Sequence, residues 1–311
     1  MHARTRPRRP LERAQFRPPR ALGAIAGGAF CAWALLLAAL MVGLAIGAEP
    51  AFRTFLAWLV AAALVLIGAV FLNWTYAVLR LAYVIDNAAL TIVWGFRRVV
   101  IPIDSIQRML PGRTLDGAHV QGINWWGCHV GGADVKRRGY TFFYSTHSSP
   151  EELLYVVTTE ESYALTVLNQ AAFAEEVQSR AALGPVERHL QRATATGVAA
   201  FPFWRDRVAI AAAAASVLAS VLLCGYVYGR YPSLPEVVQL DFPALGGIVR
   251  IGAKEQLLRI AYLGVGVLAL NLTLGVLVHA RERAAGLWLI ASGGMLQAVL
   301  LAAAVLAFQR A

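Results

Sequence analysis

Long apolar runs alternate along this chain with one stretch of different rhythm. Five runs, at residues 21–47, 55–79, 208–229, 260–278 and 284–308, contain no Asp, Glu, Lys or Arg. A bilayer span needs about 20 apolar residues, and lipid does not tolerate exposed non-helical backbone, so each run is predicted to be a transmembrane helix. Between the second and third runs, "YVIDNAALTIVWGFRRVVIPIDSI" (83–106) alternates apolar with polar positions and is rich in β-branched residues. That period of two predicts strands.

Short strands continue from there. "YVI" and "ALTIVWG" flank Asp86-Asn87, a two-residue hairpin turn, and "FRR" separates "ALTIVWG" from "VVIPI". "SIQRML", "YTFFYST", "LLYVVTT" and "SYALTVL" follow. The Gly-rich segment 110–139 reads as a long loop region with room for one strand of its own. The region closes on a helix, "NQAAFAEEVQSRAAL", with Asn169 as N-cap and Phe173 and Val177 on one face. The expected order is about seven strands, then one helix.

The predicted organisation is therefore a basic tail (1–20), a helical hairpin (21–82), a β-rich domain (83–182), a linker (183–207) and three further helices (208–311). A loop at 230–259 joins the first two of those three. The fold class is a membrane protein of mixed α and β structure, its five helices arranged as two plus three.

Composition supports the membrane reading, since 58% hydrophobic and 15% charged residues lie outside the range of a soluble domain. The first uncharged run, 27 residues, exceeds the roughly 7–15 of a signal-peptide core, so a retained helix is expected. With the N-terminus in the cytoplasm, 22 of the 28 Lys and Arg fall inside. That puts the β-rich domain in the cytoplasm, the 230–259 loop and the C-terminus outside, and the chain in the cell membrane. The net charge of +10 is then explained by topology and by attraction to anionic membrane lipids, with no nucleic acid needed. The tail, with many prolines and Phe16 as its one aromatic, reads as a disordered arm on the membrane.

Little points to catalysis. No nucleophile elbow, zinc-protease helix, phosphate loop or dinucleotide fingerprint occurs, and no cofactor is expected. Cys31, Cys128 and Cys224 show no disulfide pattern, and His119, Cys128, His129 and His147 lack zinc spacing, so no metal is expected. Gly131-Gly132 reads as turn material. The spans hold Asn73, Asn271 and Gln297, with His279 at a boundary. Asn271 and Gln297 suit bonding between helices, and the lack of ionisable groups argues against a coupled carrier. Arg97, Arg98, Lys136, Arg137 and Arg138 could form one basic lip. Trp125-Trp126 suits either packing or insertion at the membrane interface.

The residues "LTIVWGFRRVVIPIDSI" (90–106), "INWWG" (123–127), "YTFFYST" (140–146) and "YALTVLNQAAFAEEV" (163–177) resemble the bacterial pleckstrin-homology (PH) domain membrane proteins. The resemblance implies a PH-like β-barrel capped by a C-terminal helix, and a binding role without catalysis. The segment "YPSLPEVVQLDFPALGGIVRIGAKEQLLRI" resembles a domain-of-unknown-function family found in Sdp-type toxin-immunity membrane proteins. Pro232, Leu234, Pro235, Phe242, Gly246 and Lys254 match its pattern, and Asp241 stands where its His is usual. Two functions follow as expectations. One is a non-enzymatic protein whose PH-like domain binds lipid or a protein partner. The other is an immunity- or transporter-like protein that recognises a toxin or small apolar molecule through its C-terminal helices and outer loop, with Asp241, Phe242 and Asn271 as its candidate residues.

Overall fold

In a computed structural model, residues 13–112, 120–135, 139–183, 190–241 and 249–310 are described. They form two units: the described residues up to 34 with those of 67–200, and residues 35–66 with the described residues from 201 on. Five helices are long and apolar enough to cross a membrane: α1 (Ala21–Ala45), α2 (Phe52–Arg80), α4 (Arg207–Arg230), α5 (Glu255–His279) and α6 (Arg283–Arg310).

The β-rich region of the first unit builds two sheets. The first takes β1 (Ala14–Phe16), β2 (Ala82–Ile85), β3 (Ala89–Trp94), β4 (Arg97–Pro102) and β11 (Arg192–Ala195), in the order β1-β2-β3-β4-β11. The second takes β5 (Ile106–Pro111), β6 (Gln121–Trp125), β7 (Cys128–Val135), β8 (Gly139–Ser145), β9 (Leu153–Thr158) and β10 (Ser162–Thr166), in the order β5-β9-β10-β8-β7-β6. No ladder joins the sheets among the described residues, so the closed barrel expected from sequence is not seen. Nor is the order one of simple hairpins. The β9–β10 hairpin inserts between β5 and β8, and β10 pairs with β8 in parallel.

One core serves both sheets. Tyr83, Ile85, Leu90, Ile92 and Ile101 from the first meet Cys128, Leu154, Val156 and Leu165 from the second. Phe173 and Val177 of α3 (Gln170–Leu183) close the core, and Asn169 caps that helix by accepting from Ala172 N at 3.0 Å. The Tyr83 hydroxyl crosses between the sheets. It donates to Tyr144 O at 2.7 Å and accepts from Thr166 N at 3.1 Å. Ala77, Val78 and Leu81 belong to the same core, so the last turn of α2 is part of the β-rich module.

Three expectations are corrected here. The Gly-rich segment holds a hairpin, β6–β7, and Gly131-Gly132 lie mid-strand rather than in a turn. The "linker" contributes β11, which pairs with β4 through Arg192↔Val100 to Ala195↔Arg97. The inner end of the tail is an edge strand on β2, and Phe16 packs edge-on against Phe173 at 5.0 Å. Each of these strands is too short, or too rich in Gly and Arg, to show a period of its own. Each is recruited by a free edge of the sheet.

The first two spans are joined to this module by small residues. Buried positions along α1, namely Gly23, Gly27, Cys31, Ala34 and Ala38, recur every three or four residues. Gly127, with φ +70°, approaches Gly23 so closely that a Cβ on Gly23 would stand 2.4 Å from Gly127 O. A Cβ on Gly27 would stand 2.3 Å from Thr75 Oγ1. Arg20 donates to Leu79 O, tying the start of α1 to the end of α2.

In the second unit, α4, α5 and α6 pack through glycines. Gly264 faces Leu223 and Gln297, Gly275 faces Ile290, Gly286 faces His279, and Gly294 faces Ser216. Gln297 Nε2 donates to Gly264 O at 2.8 Å, and Ser216 Oγ to Ile290 O at 3.0 Å. Asn271 packs its side chain on Gly293. Asp206 caps α4 through Val208 N and Ala209 N, and also receives Arg283 Nε at 2.5 Å and His279 Nε2 at 3.1 Å. The Arg283 and His279 bonds hold its carboxyl well below the usual carboxylate range. The 230–259 loop contains a second hairpin, β12 (Val237–Asp241) with β13 (Val249–Ala253), so Asp241 ends a strand.

Candidate functional site

A groove of about 510 Å³ opens where the second span ends. Asn73 and Trp74, in the last two turns of α2, form one wall. Trp94, Phe96 and Arg97 of the β3–β4 hairpin form another, and Phe142 and Tyr144 of β8 a third. The hairpin turns at Gly95, whose φ of +53° a side-chain-bearing residue rarely adopts, and there it lies against Ala77 of α2. Phe96 also packs on Tyr76, with ring centroids 5.1 Å apart. Gly122, Gly131 and Gly132 line the groove without side chains. A Cβ on Gly132 would meet the outer end of the exposed Tyr140 ring, which would have to swing aside.

Arg97 is the groove's charge. It was expected between strands but begins β4. In a strand, neighbours point to opposite faces, so Arg97 and Arg98 do not share a lip: Arg97 lines the groove and Arg98 does not. Lys136, Arg137, Arg138 and Phe242, with His119 and Gly246, lie outside the described residues. The Tyr144 hydroxyl is shifted above its ordinary range by burial, an effect that nearby Arg97 opposes.

The tryptophan pair divides its roles. Trp125 joins Phe30, Phe71 and Trp74 in an aromatic cluster, with centroids 5.1 Å from Phe71 and 5.3 Å from Trp74. Trp126, in the β6–β7 turn beside Leu22 at the start of α1, is 71% exposed. The packing alternative thus describes Trp125, while Trp126 presents an exposed ring.

A histidine pair stands near that turn. The rings of His129 and His147 are 4.2 Å apart. His129 Nδ1 is 2.6 Å from Asn124 Oδ1, its Nε2 is 3.1 Å from His147 O, and Ser145 Oγ is 2.9 Å from His147 Nδ1. Burial pushes the His147 pKa down to about 4, with His129 adding to the shift, and burial also lowers that of His129. Both rings are neutral near pH 7. Burial likewise pushes the Cys128 thiol up to about 12. Among the described residues no three His, Cys, Asp or Glu side chains could hold a metal ion.

Residues 81–181 match the bacterial PH domain family. The match covers β2 through most of α3, and so contains Arg97, Tyr144 and both tryptophans. It stops short of the C-terminal region. No curated protein and no solved structure matches the chain.

The sequence reading missed Asn73, Trp74 and Tyr144 as groove residues. Their positions follow from the docking of α2 on the sheets, and sequence spacing carries no signal for that. Asp206, the N-cap of α4, was not singled out either, although an Asp at a helix start is a capping signal.

Proposed function

We propose that the chain is a non-enzymatic, multi-pass protein of the cell membrane whose PH domain is an interaction platform. Its ligand on this reading is the anionic headgroup layer of the inner leaflet. The observation that carries the reading is Arg97 at an aromatic groove built on the last turns of a membrane-length helix. Among the described residues Arg97 has no ion pair. A guanidinium placed at the membrane surface gains about 1 kcal/mol from anionic lipid. Trp126 beside α1 adds a ring of the type favoured at that interface. The distribution of Lys and Arg supports a cytoplasmic PH domain and an extracytoplasmic C-terminus.

Hydrogen exchange on the full chain, in nanodiscs of neutral or of mixed neutral and anionic lipid, tests this. Amides of 94–98 and 121–127 should gain protection with anionic lipid, and Arg97→Glu should remove the gain. Equal protection in both lipids would overturn the lipid assignment. A stoichiometric protein that co-purifies in mild detergent, and is lost in Arg97→Glu, would move the platform to a protein partner. The second reading, recognition by the C-terminal helices, draws on a cavity in the other unit.

A further inference from the structure

The spans carry few polar side chains, yet four of them line one cavity. It lies among α2, α4 and α5 within the second unit and has a volume of about 480 Å³. Ser220, Cys224 and Tyr228 of α4 recur every four residues and so share one face of that helix. Tyr262 joins them from α5. Ser220 sits beside the Cys224 thiol, and the Tyr228 and Tyr262 hydroxyls interact. The remaining walls are apolar, including Trp58, Ala62, Val217 and Val265, and no charged residue lines the cavity.

The polar groups are not spread evenly. Tyr228 is two residues from the end of α4, and Tyr262 is seven residues into α5. These are the ends joined by the β12–β13 hairpin, so the hydroxyl pair lies toward one membrane face. Val217 lies about 16 Å deeper along α4, at 1.5 Å per residue. From face to centre the cavity thus changes from hydroxyl donors to thiol to hydrocarbon. In lipid a hydroxyl without a partner is costly, and two facing tyrosines leave at least one O–H to be satisfied from outside the pair. A glycerolipid has the matching profile, with an ester carbonyl near the interface and a hydrocarbon chain pointing inward.

We propose that this cavity seats one acyl chain of a membrane glycerolipid, whose ester carbonyl accepts a hydrogen bond from the Tyr228–Tyr262 pair. The proposal is independent of the PH domain and of its lipid reading. It differs from ordinary contact with lipid, which the outward faces of α1 make through exposed Ile25, Leu36 and Leu40. Those faces offer neither concavity nor donors.

The test uses the full chain in nanodiscs with a trace glycerolipid that carries a diazirine in its acyl chain. After irradiation, labelled peptides are mapped by mass spectrometry. Label should concentrate on 55–62 and 217–228 relative to α1. Ala62→Phe, which fills the cavity from its lining, should lower the label there to the level of α1. An ether lipid that lacks the carbonyl should compete about fivefold less well than its ester counterpart, the ratio for one hydrogen bond of about 1 kcal/mol. Tyr228→Phe with Tyr262→Phe should erase that preference while leaving the shape intact. This second variant carries the test if Ala62→Phe does not fold. Label equal to that of α1, or no ester preference in the unaltered chain, would each overturn the proposal.

Discussion

Substituting Gly23 and Gly28 of α1 by Ala should act with opposite sign. A Cβ on Gly23 would meet Gly127 O at 2.4 Å and Gly127 C at 3.0 Å, both backbone atoms of the β6–β7 turn. Neither can rotate away, so the turn must move off the helix. Overpacking of this kind costs typically about 1–3 kcal/mol. A Cβ on Gly28 meets nothing within 4 Å, so Ala there gains up to about 1 kcal/mol of helix propensity. Cys128 reports on the joint because it is fully buried directly beyond the turn, paired with Trp125 across the hairpin. With its thiol pushed up to about 12, it reacts with a maleimide near pH 7 only when the hairpin opens. In a chain carrying Cys31→Ala and Cys224→Ser, Gly23→Ala should therefore label Cys128 roughly 5- to 150-fold faster, the rate equivalent of about 1–3 kcal/mol. Gly28→Ala should label at the unaltered rate or slower. Equal rates for the two variants would refute the argument that the PH domain is seated on α1 through this contact.

Tyr83→Phe should cost about 1–3 kcal/mol in thermal unfolding, because it leaves Thr166 N and Tyr144 O unpaired in the core between the sheets. His147 titrates near 4 in the fold against 6.5 when unfolded, so below pH 6.5 the unfolded chain takes up a proton that the folded chain refuses. Stability should fall as pH drops from about 6.5 to about 4, and melting curves of His147→Gln should be flatter across that window. Trp126→Ala should change the melting temperature little, since an exposed ring contributes within about 0.5 kcal/mol, while reducing quenching of tryptophan fluorescence by brominated lipid. Gly286→Ala would place a Cβ 2.6 Å from His279 Cα and should lower thermal stability by about 1–3 kcal/mol.

The five apolar helices and the Asn169 cap were legible because each is a local signal, apolar length or a capping side chain. The hairpin after Ile85 was legible too, but its turn spans residues 86–88 and is closed by Asp86 N donating to Ala89 O, not made by Asp86-Asn87 alone. The three recruited strands were not. Ala14–Phe16, Gln121–Trp125 and Arg192–Ala195 are defined by the edges they join, and their own residues are as suited to loops. The same limit applies to the groove. Arg97 and the tryptophans stood out as residue types, but only tertiary docking selects Arg97 over Arg98 and separates Trp125 from Trp126. Asn271 drew attention as an amide in a span, whereas Gln297, 26 residues later, is the one that bonds to a neighbouring helix.

The placement of a β module between membrane helices has a mechanical consequence. Ala77, Val78 and Leu81 at the end of α2 are buried in the core that also holds Tyr83 and Phe173. Only Leu81 separates the last helical residue, Arg80, from the first of β2. The strand before α1 pairs with that same β2. α2 thus runs directly into one sheet, and α1 follows the edge strand of that same sheet after only residues 17–20, two of which are proline. A rotation or tilt of α2 must displace Trp74 and Ala77, and with them one wall of the groove. Interiors transmit such shifts because they are close-packed. On the proposed function, a ligand that filled the groove would therefore be coupled to the orientation of α2 through this shared core, and the coupling would act in both directions.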